Sequence, residues 1–123
     1  MNFSPAFLAN TAYLLVIHGS RDPRPGKAAQ VLAHQVSQAL GGKILVESAS
    51  LECASVPLHQ QIVNFGDRVL RLGYRSLKIV PLFLSPGVHV REDIPEEVSF
   101  AQTQVGDRLS IDVLPYLGSY AGM

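Results

Sequence analysis

The chain has 123 residues, 47% of them hydrophobic and 16% charged, which is enough for one core but not two and far from a disordered composition. Ten basic residues balance ten acidic ones, so bulk charge gives no argument for a nucleic-acid or anionic-membrane partner. The single cysteine, Cys53, cannot form an intramolecular disulfide and fits a reducing, cytoplasmic setting; the segment MNFSPAFLANTAYLLVIHG has no basic leader region, and no run approaches the ~18 apolar residues of a membrane helix.

Residues 13–17, YLLVI, are a continuous apolar and partly β-branched run closed by His18 and Gly19, which predicts a strand buried on both faces and hence a parallel one. Ala29, Leu32, Val36 and Leu40 then recur at helical spacing and stop at Gly41-Gly42. Residues 43–51, KILVESASL, predict a second strand. Ser55-Val56-Pro57 opens a second helix with its stripe at Leu58, Ile62, Phe65, Val69 and Leu72, closed by Gly73. Residues 76–84, SLKIVPLFL, predict a third strand in spite of Pro81, which cannot donate a ladder hydrogen bond and marks where pairing ends. A loop, SPGVHVRED, follows. Asp93 is expected to cap a third helix with Glu96 completing a capping box, Pro95 in the first turn and a stripe of Ile94, Val98, Ala101 and Val105. Residues 109–117, LSIDVLPYL, predict a fourth strand.

This βαβαβαβ rhythm predicts an α/β protein with a parallel sheet, right-handed crossovers and helices on both faces. Ligands of such sheets bind at the carboxyl ends of the strands, near the point where strand order reverses. His18 ends strand one, Glu52 follows strand two and His89 lies in the loop after strand three. With strand order 2-1-3-4 the three side chains fall on one edge and can converge. Each also has a plain structural reading. The histidines suit hydrogen-bonded boundary positions, Glu52 suits a cap of the second helix, and Asp93 is first of all an N-cap. His34 and His59 read as solvated helix residues, and Cys53 as a small buried residue at a strand–helix junction.

Two imidazoles and a carboxylate suit borderline divalent ions such as Fe²⁺, Co²⁺, Ni²⁺ and Zn²⁺, and the absence of CxxC and HExxH argues against a closed structural zinc site. A site with so few protein ligands on an exposed edge suits transfer of an ion better than storage. Arg21, Arg24, Lys27 and Arg91 concentrate positive charge near the same edge, a field that favours a polyanion.

HGSRDP after strand one, the LE that precedes the proline of the second helix, and VPLFLSPGVHVREDIPEEV together resemble the short CbiX-type sirohydrochlorin chelatases of the class II chelatase family. The likeness runs from about residue 13 to Gly118. It implies the chelatase-like three-layer fold with a four-stranded parallel sheet of order 2-1-3-4, and insertion of Fe²⁺ or Co²⁺ into a tetrapyrrole with eight carboxylates, for sirohaem or cobalamin. The metal is then a substrate, with no permanent cofactor. The resemblance assigns His18 and His89 to the metal and the macrocycle, with Glu52 as the accompanying acid; the local charge makes Arg21, Arg24, Lys27 and Arg91, with Ser20 beside them, the expected partners of the substrate carboxylates. It also implies a symmetric homodimer, which would cover an otherwise open sheet face. Relatives continue past the glycine at 118 into a final helix, so the expectation is a single domain over 1–123 short of that element. A neutral imidazole, with an ordinary pKa of about 6.5, can take the pyrrole protons while the other imidazole and Glu52 hold the ion.

Two rival readings follow from the residues. An acyl hydrolase is disfavoured, because the nearest approach to G-x-S-x-G is GSYAG at 118–122, with serine second rather than central. A non-catalytic metal or tetrapyrrole binder, a shortened chelatase remnant, stays open and differs from an enzyme in lacking turnover.

Overall fold

The computed structural model describes residues 10–42, 44–82 and 88–115; the side chains of residues 88–91 are outside that description. The elements alternate as β1 (Thr11–Ile17), α1 (Pro23–Ala39), β2 (Val46–Ser50), α2 (Leu58–Arg71), β3 (Ser76–Pro81), α3 (Val88–Val105), a single 3₁₀ turn (Gly106–Arg108) and β4 (Ser110–Val113). All strand pairs are parallel and the order is β2-β1-β3-β4, as the resemblance implies.

The period-two alternation of the strands divides the interior into two layers. Ala12, Leu14, Val16, Leu77, Ile79 and Ile111 point to one face, where α2 and α3 bring Leu58, Ile62, Phe65, Val69, Ile94, Val98, Ala101 and Val105. Leu15 and Val46 point to the other, against Ala33 of α1 and Ile44, with Tyr13, Val36, Val80 and Leu82 at its margin. The chain moves outward from β1 to β2, then returns past β1 to β3 and β4, so right-handed crossovers put α1 on one face and α2 and α3 on the other.

Helix α1 packs on β1 and β2. Its expected stripe is therefore only partly used: Ala29 is buried and Val36 half-buried, whereas Leu32 and Leu40 are exposed and Ala33, outside that stripe, is buried instead. These two overhang a groove of about 440 Å³ that is floored by Tyr13, Leu15, Val80, Leu82 and Leu114. The apolar spacing was legible; the burial of the whole stripe was not, because one helix is too narrow to cover four strands.

Helix ends follow the local chemistry. Asp22 caps α1 by accepting a hydrogen bond from the Arg24 amide, and Pro occupies the first turn. Gly41, with φ of +87°, ends it: the amides of Gly41 and Gly42 bond the carbonyls of Gln38 and Ser37, the two contacts of a Schellman motif. Gly73 and Tyr74 repeat the pattern on Leu70 and Val69 at the end of α2. Pro81 is the last residue of β3. Leu82 donates to Val16, so alternation aims position 81 at β4, beyond the last β3–β4 pair, Ile79 with Val113, and its missing amide breaks no ladder bond.

Three expectations are corrected. Helix α3 begins at Val88 rather than Asp93, so His89 and Arg91 lie in a helical turn instead of a loop, and Asp93 with Glu96 makes no capping box. Pro95 consequently sits inside the helix, which forfeits the bond from position 95 to the Arg91 carbonyl; burial of Ile94, Val98, Ala101 and Val105 outweighs that single loss. Cys53 is exposed, not buried, and has φ of +60°. His59 is not simply solvated but half-buried and paired with an acid. The ends of the expected third and fourth strands, residues 83–84 and 116–117, fall outside the described residues, as does everything after Pro115.

Candidate active site

The carboxyl ends of β1 and β2 lie side by side; the last ladder bond runs from the Leu51 amide to the Ile17 carbonyl at 2.9 Å, and beyond it an irregular bond joins the Glu52 amide to the His18 carbonyl at 2.8 Å. This extension carries His18 and Glu52 out of the sheet together. Their side chains meet there, with Nε2 of His18 3.2 Å from Oε2 of Glu52, and both are open to solvent at 53% and 62% exposure.

Gly19 makes the close pairing sterically feasible. Its φ is +106°, and a Cβ at that position would lie 2.0 Å from the Glu52 carbonyl oxygen. Only glycine fits both the backbone conformation and the space. On the other side of Glu52, Cys53 adopts a positive φ that β-carbon-bearing residues seldom take, so the chain turns sharply straight after the carboxylate.

Chemically, the pair can act in two ways. With Nε2–H donating to the carboxylate, the imidazole is held in one orientation. With that proton gone, the two donors face one position. Donors 3.2 Å apart, each about 2.1 Å from an ion, subtend roughly 100° at it, close to the angle between neighbouring ligands in tetrahedral or octahedral coordination. Among the described residues no group of three or more His, Cys, Asp or Glu side chains could hold a metal by itself. The pair by itself would offer an ion two donors. His89, placed in the first turn of α3 after β3, belongs to the same edge by topology; its side chain is outside the described residues.

Next to Glu52 lies a cleft of about 300 Å³ lined by Leu51, Asp93, Glu96 and Glu97. Its far wall is fixed by a second histidine–acid pair. Nδ1 of His59 is 2.9 Å from Oε2 of Glu97, and the His59 amide donates to Oε1 at 3.3 Å. Helix α2 has Pro57 at its N-cap and no side-chain cap of its own. Glu97 of α3 thus supplies an acceptor to the first turn of α2 from outside.

The basic residues are distributed differently from the sequence expectation. Arg24 forks onto Asp22 through Nε and Nη2, with Nε–Oδ2 at 2.8 Å. The two bonds from Arg24, side chain first and amide second, hold the Asp22 carboxyl below its ordinary range, and the same fork pushes the guanidinium upward. Ser20 accepts from the Asp22 amide at 3.1 Å, so its hydroxyl oxygen also serves this turn. Arg21 and Lys27 are exposed beside it, and the side chain of Arg91 is outside the described residues. His34 lies away from the edge, in a shallow hollow between α1 and β2 with Gln30, Ser37 and Glu47.

Sequence reasoning missed Asp22, Gln61 and Glu97. The first had a legible signal, an Asp before Pro-x-Pro at a helix start. The other two act on distant segments and had none. Gln61 bonds both backbone groups of Ser50 and the Val56 carbonyl, across the loop that carries Glu52. No helix among the described residues is long and apolar enough to cross a membrane.

Comparison with known proteins agrees with this architecture. The chain is 33% identical over 85 residues to the sirohydrochlorin cobaltochelatase of Methanopyrus kandleri, covering 69% of this chain and 56% of that protein, so it spans a little over half of that relative. It superposes with a TM-score of 0.68 and 25% identity on a cobalamin biosynthesis CbiX protein from Marinobacter aquaeolei VT8, covering 91% of this chain and 86% of the other. The sirohydrochlorin chelatase SirB of Bacillus subtilis subspecies spizizenii, in complex with cobalt, shares the fold with a TM-score of 0.63 and 24% identity, over 85% of this chain and 42% of SirB. SirB from Bacillus subtilis with Fe³⁺ does so at 0.64 and 21%, over 87% and 40%. The CbiX family model matches residues 12–123, nearly the whole sequence, and the chain belongs to the CbiX family.

Proposed function

We propose that the protein is a sirohydrochlorin chelatase that inserts Fe²⁺ or Co²⁺ into the polycarboxylated macrocycle, on the way to sirohaem or cobalamin. The observation that carries this reading is the His18–Glu52 pair, two donors 3.2 Å apart at the carboxyl edge of a parallel sheet. That spacing suits transient capture of a divalent ion. The cobaltochelatase of Methanopyrus kandleri and the metal-bound SirB structures supply the substrate class.

Insertion removes two protons from the pyrrole nitrogens while the ion sheds water. In this reading the ion, as substrate, is first gripped by Nε2 of His18 and Oε2 of Glu52. His89, on the same edge by topology, takes one pyrrole proton, the second passes to bulk water, and the ion leaves His18 and Glu52 for the ring nitrogens. Protons and metal compete for the same imidazole lone pair, so insertion should slow on acidification. Arg21 and Arg91 are assigned to the peripheral carboxylates, with Arg24, through Asp22, and Ser20 shaping the turn between them. Lys27 adds to the field.

The protein is further proposed to act as a symmetric homodimer in the reducing cytoplasm, its 1–123 segment forming one chelatase-like domain. The apolar groove beside Leu32 and Leu40 supports the dimer. Sedimentation velocity across a concentration series checks the dimer.

The test of activity is anaerobic mixing of sirohydrochlorin with Fe²⁺ or Co²⁺ and catalytic protein, following the absorption spectrum. Many equivalents of product per subunit are expected, with large losses in His18→Ala and His89→Ala proteins that remain folded. Product that stops at one equivalent would instead favour the second reading, a non-catalytic tetrapyrrole or metal binder. Wild-type rates in both variants would overturn the assignment.

A further inference from the structure

We infer that Gln61, which contacts neither His18 nor Glu52 in any bond described above, is the positioning residue for the Glu52 carboxylate. The inference rests on the chelatase reading for its kinetic arm only.

Strand β2 is an edge strand, paired on one side with β1. Among the described residues no strand pairs with its outer side, and at Ser50, the last residue of the strand, the Gln61 side chain takes the place of a strand neighbour. Its Oε1 accepts from the Ser50 amide at 3.1 Å and its Nε2 donates to the Ser50 carbonyl at 2.8 Å, which is the donor–acceptor pattern of a strand partner. The second proton of Nε2 goes to the Val56 carbonyl at 3.0 Å. One amide therefore ties together both ends of the irregular loop 51–56, in which Glu52 and the strained Cys53 lie.

The loop has few other restraints. Residues 52–57 are exposed and only Leu51 packs on the core. The backbone bond from Glu52 to His18 fixes the loop at one point, and the positive φ at position 53 is a conformation that the surroundings must hold. Without the staple, the loop has lost its outer tether on the side away from His18, and the carboxylate is free to leave the imidazole. Because Gln61 is on the rigid first turn of α2, the position of Glu52 is set by a helix rather than by its own loop.

The test is Gln61→Met, which keeps the length of the stem and removes all three bonds. Amide hydrogen exchange on the full chain should show Leu51 and Glu52 exchanging about tenfold or more faster, with Leu14 and Ile79 in the sheet unchanged. Unchanged exchange at 51 and 52, or uniform acceleration that includes the core, overturns the proposal. In the metal-insertion assay, Gln61→Met should lower kcat about tenfold with KM for the tetrapyrrole within about twofold, and in a Glu52→Gln background it should add less than about twofold. A full additional loss in that background means that Gln61 does not act through Glu52 and also overturns it. A wild-type protein that inserts no metal overturns the chelatase reading, and the staple is then decided by the exchange data.

Discussion

A methyl group on Gly19 would lie 2.0 Å from the carbonyl oxygen of Glu52. The backbones of the two candidate residues, His18 and Glu52, are thus in contact through the one residue that has no side chain. Gly19→Ala forces a positive φ on alanine and pushes the two strand ends apart, an expected loss of about 2–4 kcal/mol. Gly26, in the first turns of α1, has open space where its Cβ would be, and Gly26→Ala should stabilise by about 0.5–1 kcal/mol. Urea denaturation of the two variants beside the wild type checks the contrast, and equal effects would refute it.

The Asp22 cap gives an acid-dependent start to α1. Its carboxyl is held below the ordinary range, chiefly by the Arg24 side chain and then by the Arg24 amide. A depressed folded-state pKa means that its contribution is present above the unfolded-state pKa and is lost as pH falls through the lower folded value. The Tm of wild type should exceed that of Asp22→Asn near neutrality, and the gap should close progressively below about pH 4. A gap that persists or widens in acid would contradict this.

Glu97 holds two groups of His59 at once, at side-chain exposures of 28% for the imidazole and 18% for the acid. Glu97→Ala leaves the first turn of α2 without that outside acceptor, with an expected loss of about 1–3 kcal/mol. Glu97→Gln keeps an oxygen acceptor and should lose less. Thermal unfolding of both variants checks the order.

Ile79 is fully buried in the larger core layer, so Ile79→Ala should cost about 2–5 kcal/mol. Leu72, at 66% exposure, should tolerate alanine within about 0.5 kcal/mol. Leu72 was expected on the apolar stripe of its helix, and chemical denaturation distinguishes the two positions.

The strand–helix alternation, the parallel sheet and the placement of His18 and Glu52 on one edge were legible because period and order are local properties: an apolar run of five residues before His-Gly needs no knowledge of its neighbours. Resemblance added the strand order, which the structure reproduces. Helix α3 begins five residues before the expected cap because Asp93-x-Pro-Glu mimics a helix start, while the structure places that sequence inside a helix already begun at Val88.

Sequence alone determined which residues could form strands and helices, and where a histidine and a carboxylate would leave the sheet. Tertiary structure decided the rest: that Gly19 must be glycine against Glu52, that Gln61 closes the loop of Glu52, that Glu97 completes a helix start 38 residues earlier, and that Leu32 and Leu40 stay exposed. Each of these depends on a distance between segments far apart in the chain, and such distances are fixed only when the sheet assembles and the helices pack on it.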